Sequence, residues 1–164
     1  MSALGVLFAL RPEDEAALVQ ADGDEDAVMD AIEAIEERWD EEHLAETDKA
    51  WEAIHRALTD GQVGWTNGTP PLNGAILGGR RLSTTDAYVA VLKSAEEVAA
   101  ISLALRAIDQ DALRARYWSV VPADYAPEYG EEDADYTAEW YAGVRDLYEV
   151  AAAAGMSVLF TVDQ

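Results

Sequence analysis

Asp48, Trp51 and His55 are the residues of this sequence whose types and spacing could do chemistry. Intervals of three and four place acid, indole and imidazole along one edge of a helix. An imidazole titrates near neutrality, so His55 is the acid/base candidate. The plainer reading of the same residues is a core helix, with Trp51 packed and His55 half-buried against a backbone carbonyl. A second constellation is Gly74-Ala75-Ile76-Leu77-Gly78-Gly79-Arg80-Arg81. Gly78 and Gly79 let backbone approach a ligand closely and can present N–H groups to an anion. Arg80 and Arg81 suit a small carboxylate or phosphate. A tight turn whose arginines pair with surface acids accounts for that stretch equally well. Asp48, Trp51, His55, Asn73, Gly78, Gly79 and Arg81 together form the candidate pocket.

Other chemistry is thinly represented. The sequence has no Gly-x-Ser-x-Gly elbow, P-loop or dinucleotide fingerprint, so no catalytic residue and no cofactor is assigned. His43 and His55 are twelve apart without a zinc spacing. Asp22, Asp24 and Asp26 alternate as in a calcium loop, but the required Gly and Glu do not follow. Helix capping explains them, and no metal site is expected. The absence of cysteine excludes disulfide and thiolate chemistry.

The formal charge of −22, from 33 acids and 11 bases, disfavours nucleic acid and acidic membranes, which need clustered Lys and Arg. Residues 13–52 hold 17 of the acids and only Arg38 and Lys49 as bases. An acidic face of this kind steers a basic partner, and it also simply keeps a protein solvated. The N-terminal residues lack the basic and small-residue features of a secretory signal, so a cytoplasmic protein is expected. The longest apolar run, Val98 to Leu105, is too short to span a bilayer.

The elements that must position these residues follow from periodicity. Leu4–Leu10 reads as a buried strand, and Pro12 with Glu13-Asp14-Glu15 opens a short helix that Gly23 ends. A second helix carries a stripe of Val28, Ile32, Ile35 and Trp39. Thr47 is read as the cap of a third helix running to Leu58, with Trp51, Ile54 and Leu58 inward and Glu52–Arg56 paired outward. Residues 59–86 are punctuated by Gly, Pro and Asn, with a short strand expected at Ala75–Leu77. Ala87–Leu92 reads as a strand. Ser94 and Glu97 form a capping box for a helix with Val98, Ile101 and Leu105 inward. Asp109–Trp118 reads as a further short helix, and Pro122–Gly130 as an aromatic-rich loop. A long helix with Trp140, Val144, Leu147 and Ala151 facing the core ends at Gly155, and Ser157–Val162 is a last strand. The order β-α-α-α-loop-β-α-α-α-β predicts one α+β domain spanning residues 1–164, a small sheet covered by several amphipathic helices.

Phe8-Ala9-Leu10-Arg11-Pro12-Glu13-Asp14, Glu46-Thr47-Asp48-Lys49-Ala50-Trp51 with Ile54-His55, Pro71-Leu72-Asn73 with Leu77-Gly78-Gly79, and Ala95-Glu96-Glu97-Val98 resemble the YfbM-like family of bacterial proteins of unknown function. The likeness runs in order along nearly the whole chain, and the Asp-Lys-Ala-Trp…His block is its most specific part. It implies a bacterial α+β domain with no assigned activity or cofactor. Asp48, Lys49, Trp51, His55, Gly78 and Gly79 are the positions that match. The family pattern has a Gly-Pro-Ala-Arg-Tyr strand before the Glu-Glu-Val helix; here that strand is Tyr88-Val89-Ala90-Val91-Leu92, without the arginine.

Two functions compete. The favoured one is a non-catalytic binding protein, immunity-like, that docks a basic protein partner. The alternative is a small-molecule sensor or enzyme using the pocket around His55, Trp51 and the Gly78-Gly79 turn. A plain accessory domain is the third option.

Overall fold

The computed structural model describes residues 3–122, 125 and 129–163. Its strands are β1 (Leu4–Leu10), β2 (Leu44–Asp48), β3 (Arg80–Arg81), β4 (Tyr88–Lys93) and β5 (Ser157–Asp163). Its helices are α1 (Pro12–Ala21), α2 (Glu25–Arg38), α3 (Trp51–Leu58), α4 (Ala95–Leu105), α5 (Gln110–Val120) and α6 (Glu131–Ala153). The strands make one antiparallel sheet in the order β2-β1-β5-β4-β3. This is the expected α+β architecture.

Side chains alternate across a strand, so each strand feeds two cores. Leu7 and Ala9 of β1, Val89 and Val91 of β4, and Val158, Phe160 and Val162 of β5 face one side. There they meet α3, α4, α5 and α6 through Ile54, Val98, Leu113 and Tyr148. Phe8, Leu10, Ala90, Leu92 and Leu159 face the other side, against Leu18 of α1 and Val28, Ile32 and Ile35 of α2. The sheet is therefore covered on both faces. Among the described residues no helix is long and apolar enough to cross a membrane.

Several local signals act as read. Asp24 caps α2 by accepting from Ala27 N, and Ser94 and Glu97 form the reciprocal box of α4; Asp109, read as the first residue of its helix, is the cap of α5. Gly23 and Gly155 close their helices at φ 101° and 68°.

Four expectations are corrected. Thr47 is no helix cap: it lies in β2, which the sequence reading missed, and its Oγ1 donates to Gly5 O at 2.8 Å. The helix starts at Trp51, after Ala50, without a side-chain cap. Ala75–Leu77 is a buried turn rather than a strand, and the strand pairing falls at Arg80–Arg81. Trp39 leaves the α2 stripe because its backbone turns left-handed at φ 40°, which brings the indole out to 38 % exposure. Trp140 is only half-buried, and Tyr141 and Tyr148 take the core positions beside it. Ala123, Asp124, Ala126, Pro127 and Glu128 of the expected aromatic-rich loop lie outside the described residues.

Candidate functional site

The seven candidate pocket residues spread over four neighbourhoods. Asp48 ends β2 with φ 49°, beside Tyr136 of α6, whose hydroxyl accepts the Lys49 N–H at 3.2 Å. Trp51 donates from Nε1 to Ala3 O at 3.0 Å and tilts against Phe160 at 5.9 Å between ring centroids. With Glu52, Gly64, Trp65 and Leu77 it lines a cleft of about 260 Å³. Asn73, Gly78 and Gly79 line another of about 460 Å³, with Trp65 and Glu97. Trp65 is thus the shared wall. The Arg81 guanidinium stacks on its ring, 3.8 Å from the centroid, so it is held by cation–π attraction rather than aimed at an anion. Arg80 is paired with Asp22, at 2.9 and 3.0 Å.

His55 lines neither cleft. It is 1 % exposed, and its Nε2 lies 3.0 Å from Asn67 Oδ1. Three oxygens, Thr59 Oγ1, Asp60 Oδ1 and Gln62 O, lie within reach of the two hydrogens on the Asn67 amide nitrogen, so the amide oxygen is the atom that faces His55 and accepts. Nε2 therefore carries a proton, which it donates to Asn67, and Nδ1 makes no hydrogen bond among the described residues. Burial is the main cause holding the His55 pKa below its ordinary value; the Asn67 bond opposes this and the Lys93 charge adds to it. The geometry suits a histidine that ties α3 to the Asp60–Asn67 loop, not a proton carrier in contact with solvent.

Sequence reasoning missed Lys93. It has the parity of Val89 and Val91, so it points into the helix-covered core, where it is fully buried. Its Nζ donates to Ile76 O at 2.7 Å and to Gly78 O. Desolvation lowers its pKa to about 7, against a partial pull upward from Glu97. The alternation of β4 was the available signal, once the strand is carried one residue past Leu92.

A third cleft, of about 560 Å³, shares no lining residue with the other two. Leu44, Ala45 and Glu46 of β2 form one wall, with Trp39, Glu41 and Glu42 before them. Glu139, Trp140, Gly143, Asp146, Leu147 and Val150 form the other, at the spacing of one α6 face. Among the described residues five carboxylates line it and no Lys, Arg or His does. None of the five is in an ion pair among the described residues. Each indole is braced from one side: Trp39 edge-on to Phe8 at 6.0 Å, Trp140 edge-on to Tyr136 at 6.3 Å. Gly143 stands inside the longest helix, where a Cβ would meet only the Ala45 Cβ, at 4.0 Å. Helix-interior glycine costs about 1 kcal/mol against alanine. Nothing in the packing requires it, and its missing side chain leaves the cleft open. Nearby, Asp40, Glu42 and His43 bring three donor atoms within 4.8 Å of one another, with His43 Nδ1 already bonded to Asp40 at 2.8 Å.

Fold and clefts together define an acidic α+β protein whose five-stranded antiparallel sheet is covered by helices on both faces. The chain matches the family described as Domain of unknown function (DUF1877) over residues 1–161, and it belongs to that family. No curated protein matches it. Its fold is similar to the crystal structure of YfbM from Escherichia coli, a protein of unknown function, with a TM-score of 0.65 and 20% identity over 97% of this chain and 99% of that one. At that identity the likeness is one of fold.

Proposed function

We propose that this is a non-catalytic binding protein that holds cationic side chains of a basic protein partner in the cleft between β2 and α6. The observation that carries the reading is the cleft lining: among the described residues, five carboxylates outside any ion pair and two indoles, with no cation. Aromatic faces attract ammonium and guanidinium groups, and carboxylates add charge-assisted bonds. The remaining negative charge of the chain steers a basic partner toward it. Binding of a Lys/Arg-rich peptide, followed by tryptophan fluorescence, tests it. The peptide is expected to bind at low salt, weaken as salt rises, and lose at least tenfold in affinity in Trp140→Ala. Equal binding by wild type and Trp140→Ala would place the contact elsewhere and end this reading.

A second reading is favoured by one observation: Asn73, Gly78 and Gly79 share a cleft behind the Trp65–Arg81 stack. In it the chain senses a small molecule at Trp65, without His55 as acid or base. A metabolite that raises the melting temperature of wild type but not of Trp65→Ala supports it. Equal shifts in both proteins refute it.

A further inference from the structure

We infer that the partner adds an extended basic segment to the outer edge of β2 as a sixth strand, a step that rests on the cationic-ligand reading of the same cleft. Leu44, Ala45 and Glu46 are consecutive, and all three line it. Successive strand side chains point to opposite faces, so a cleft that touches three in a row runs along the backbone edge. That edge is the end of the sheet: β1 lies on one side of β2 and, among the described residues, no strand on the other. In an antiparallel pair, alternate residues turn their N–H and C=O groups away from the neighbour, and these groups need water or an added strand.

The two walls fall on the two faces of such a strand. Trp39 packs on Phe8, which faces the α1–α2 side of the sheet, whereas Trp140 packs with the core on the α3–α6 side. Successive side chains of an added strand would therefore meet the two indoles in turn, Glu41 and Glu42 beside one, Glu139 and Asp146 beside the other. A run of consecutive Lys or Arg residues fits; a segment with cations on one face only does not. A second copy of this chain is disfavoured, because its own acids would face these five. The bulge between Gly5 and Val6, with Asp48 at positive φ, ends the regular pairing, so the docked run is short.

The test uses the full chain and three seven-residue peptides of Lys and Arg with one sequence. The first is unmodified, the second is N-methylated at alternate amides, and the third at every central amide. Methylation removes backbone donors and keeps the charge. A strand bonds its neighbour along one edge only, so the first two are expected to bind alike and the third at least tenfold more weakly. The first peptide is also expected to slow hydrogen exchange at the outward-facing amides within Leu44–Glu46. Equal binding by all three peptides overturns strand addition and leaves the cationic cleft standing. No binding by any of them overturns both.

Discussion

Lys93 Nζ donates to the carbonyl of Gly78, so the last residue of β4 holds the glycine turn from inside the core. A buried amine in this position makes the fold sensitive to pH. Its folded pKa of about 7 lies below the ordinary 10.5, so between those values the unfolded chain binds the extra proton. Stability from this group therefore rises with pH across that window. His55 acts in the same direction below pH 6.5, where unfolding lets a depressed imidazole take up its proton. Tyr148, whose pKa burial raises, reverses the trend above pH 10, since only the unfolded chain ionises there. Melting temperature is expected to climb from pH 6 to pH 9.5. Lys93→Met should flatten the climb above pH 7; a slope unchanged in that variant would rule out Lys93 as its source.

His55→Ala is expected to lower unfolding free energy by about 2–4 kcal/mol, because it empties a buried site and strands the Asn67 amide oxygen. Urea melts measure the loss. Binding of a basic peptide should be unchanged at temperatures where the variant stays folded, since His55 lines no part of the β2–α6 cleft.

Gly143 separates folding from binding. Gly143→Ala should raise stability by about 0.5–1 kcal/mol, the cost of glycine in a helix interior. Gly143→Arg should keep part of that gain yet abolish peptide binding, because it lays a cation across the five carboxylates. Calorimetric melting together with peptide titration reads both effects, and a destabilised Gly143→Ala would mean that the helix needs its glycine.

Gly5 has no such latitude. A Cβ there would meet Thr47 Oγ1 at 2.5 Å, Trp51 Cδ1 at 2.9 Å and Phe160 Cε1 at 3.0 Å. Gly5→Ala is expected to cost about 1–3 kcal/mol through overpacking, or more if β2 is displaced from β1. Chemical denaturation measures it, and a neutral substitution would show that Thr47 and Trp51 repack freely.

The sequence shows the fold where a local rule is strong, and loses it where tertiary partners decide. The Ser94–Glu97 box and the Leu4–Leu10 strand are local and legible. Thr47 reads equally as a cap, but Gly5 O, forty-two residues away, offers its hydroxyl a partner in the neighbouring strand. Trp39 follows the α2 stripe by spacing, and only the left-handed turn of its backbone takes it out of line. The candidate pocket was legible in part. Asn73, Gly78 and Gly79 do share a wall, and Trp51 lines the neighbouring cleft, joined to theirs by Trp65. The β2–α6 cleft was not legible, because its walls lie about a hundred residues apart and neither carries a motif.

Asp22 has a consequence at the far end of the sheet. It grips the side chain of Arg80 and both the N–H and the hydroxyl of Ser83, pinning the two-residue β3 to the end of α1. The β3 end of the sheet is thereby tied to α1, and the β2 end is the one proposed to receive the partner strand. On the strand-addition proposal, a chain tied at one end of its sheet takes the partner strand at the other, and a one-to-one complex is expected rather than a fibre.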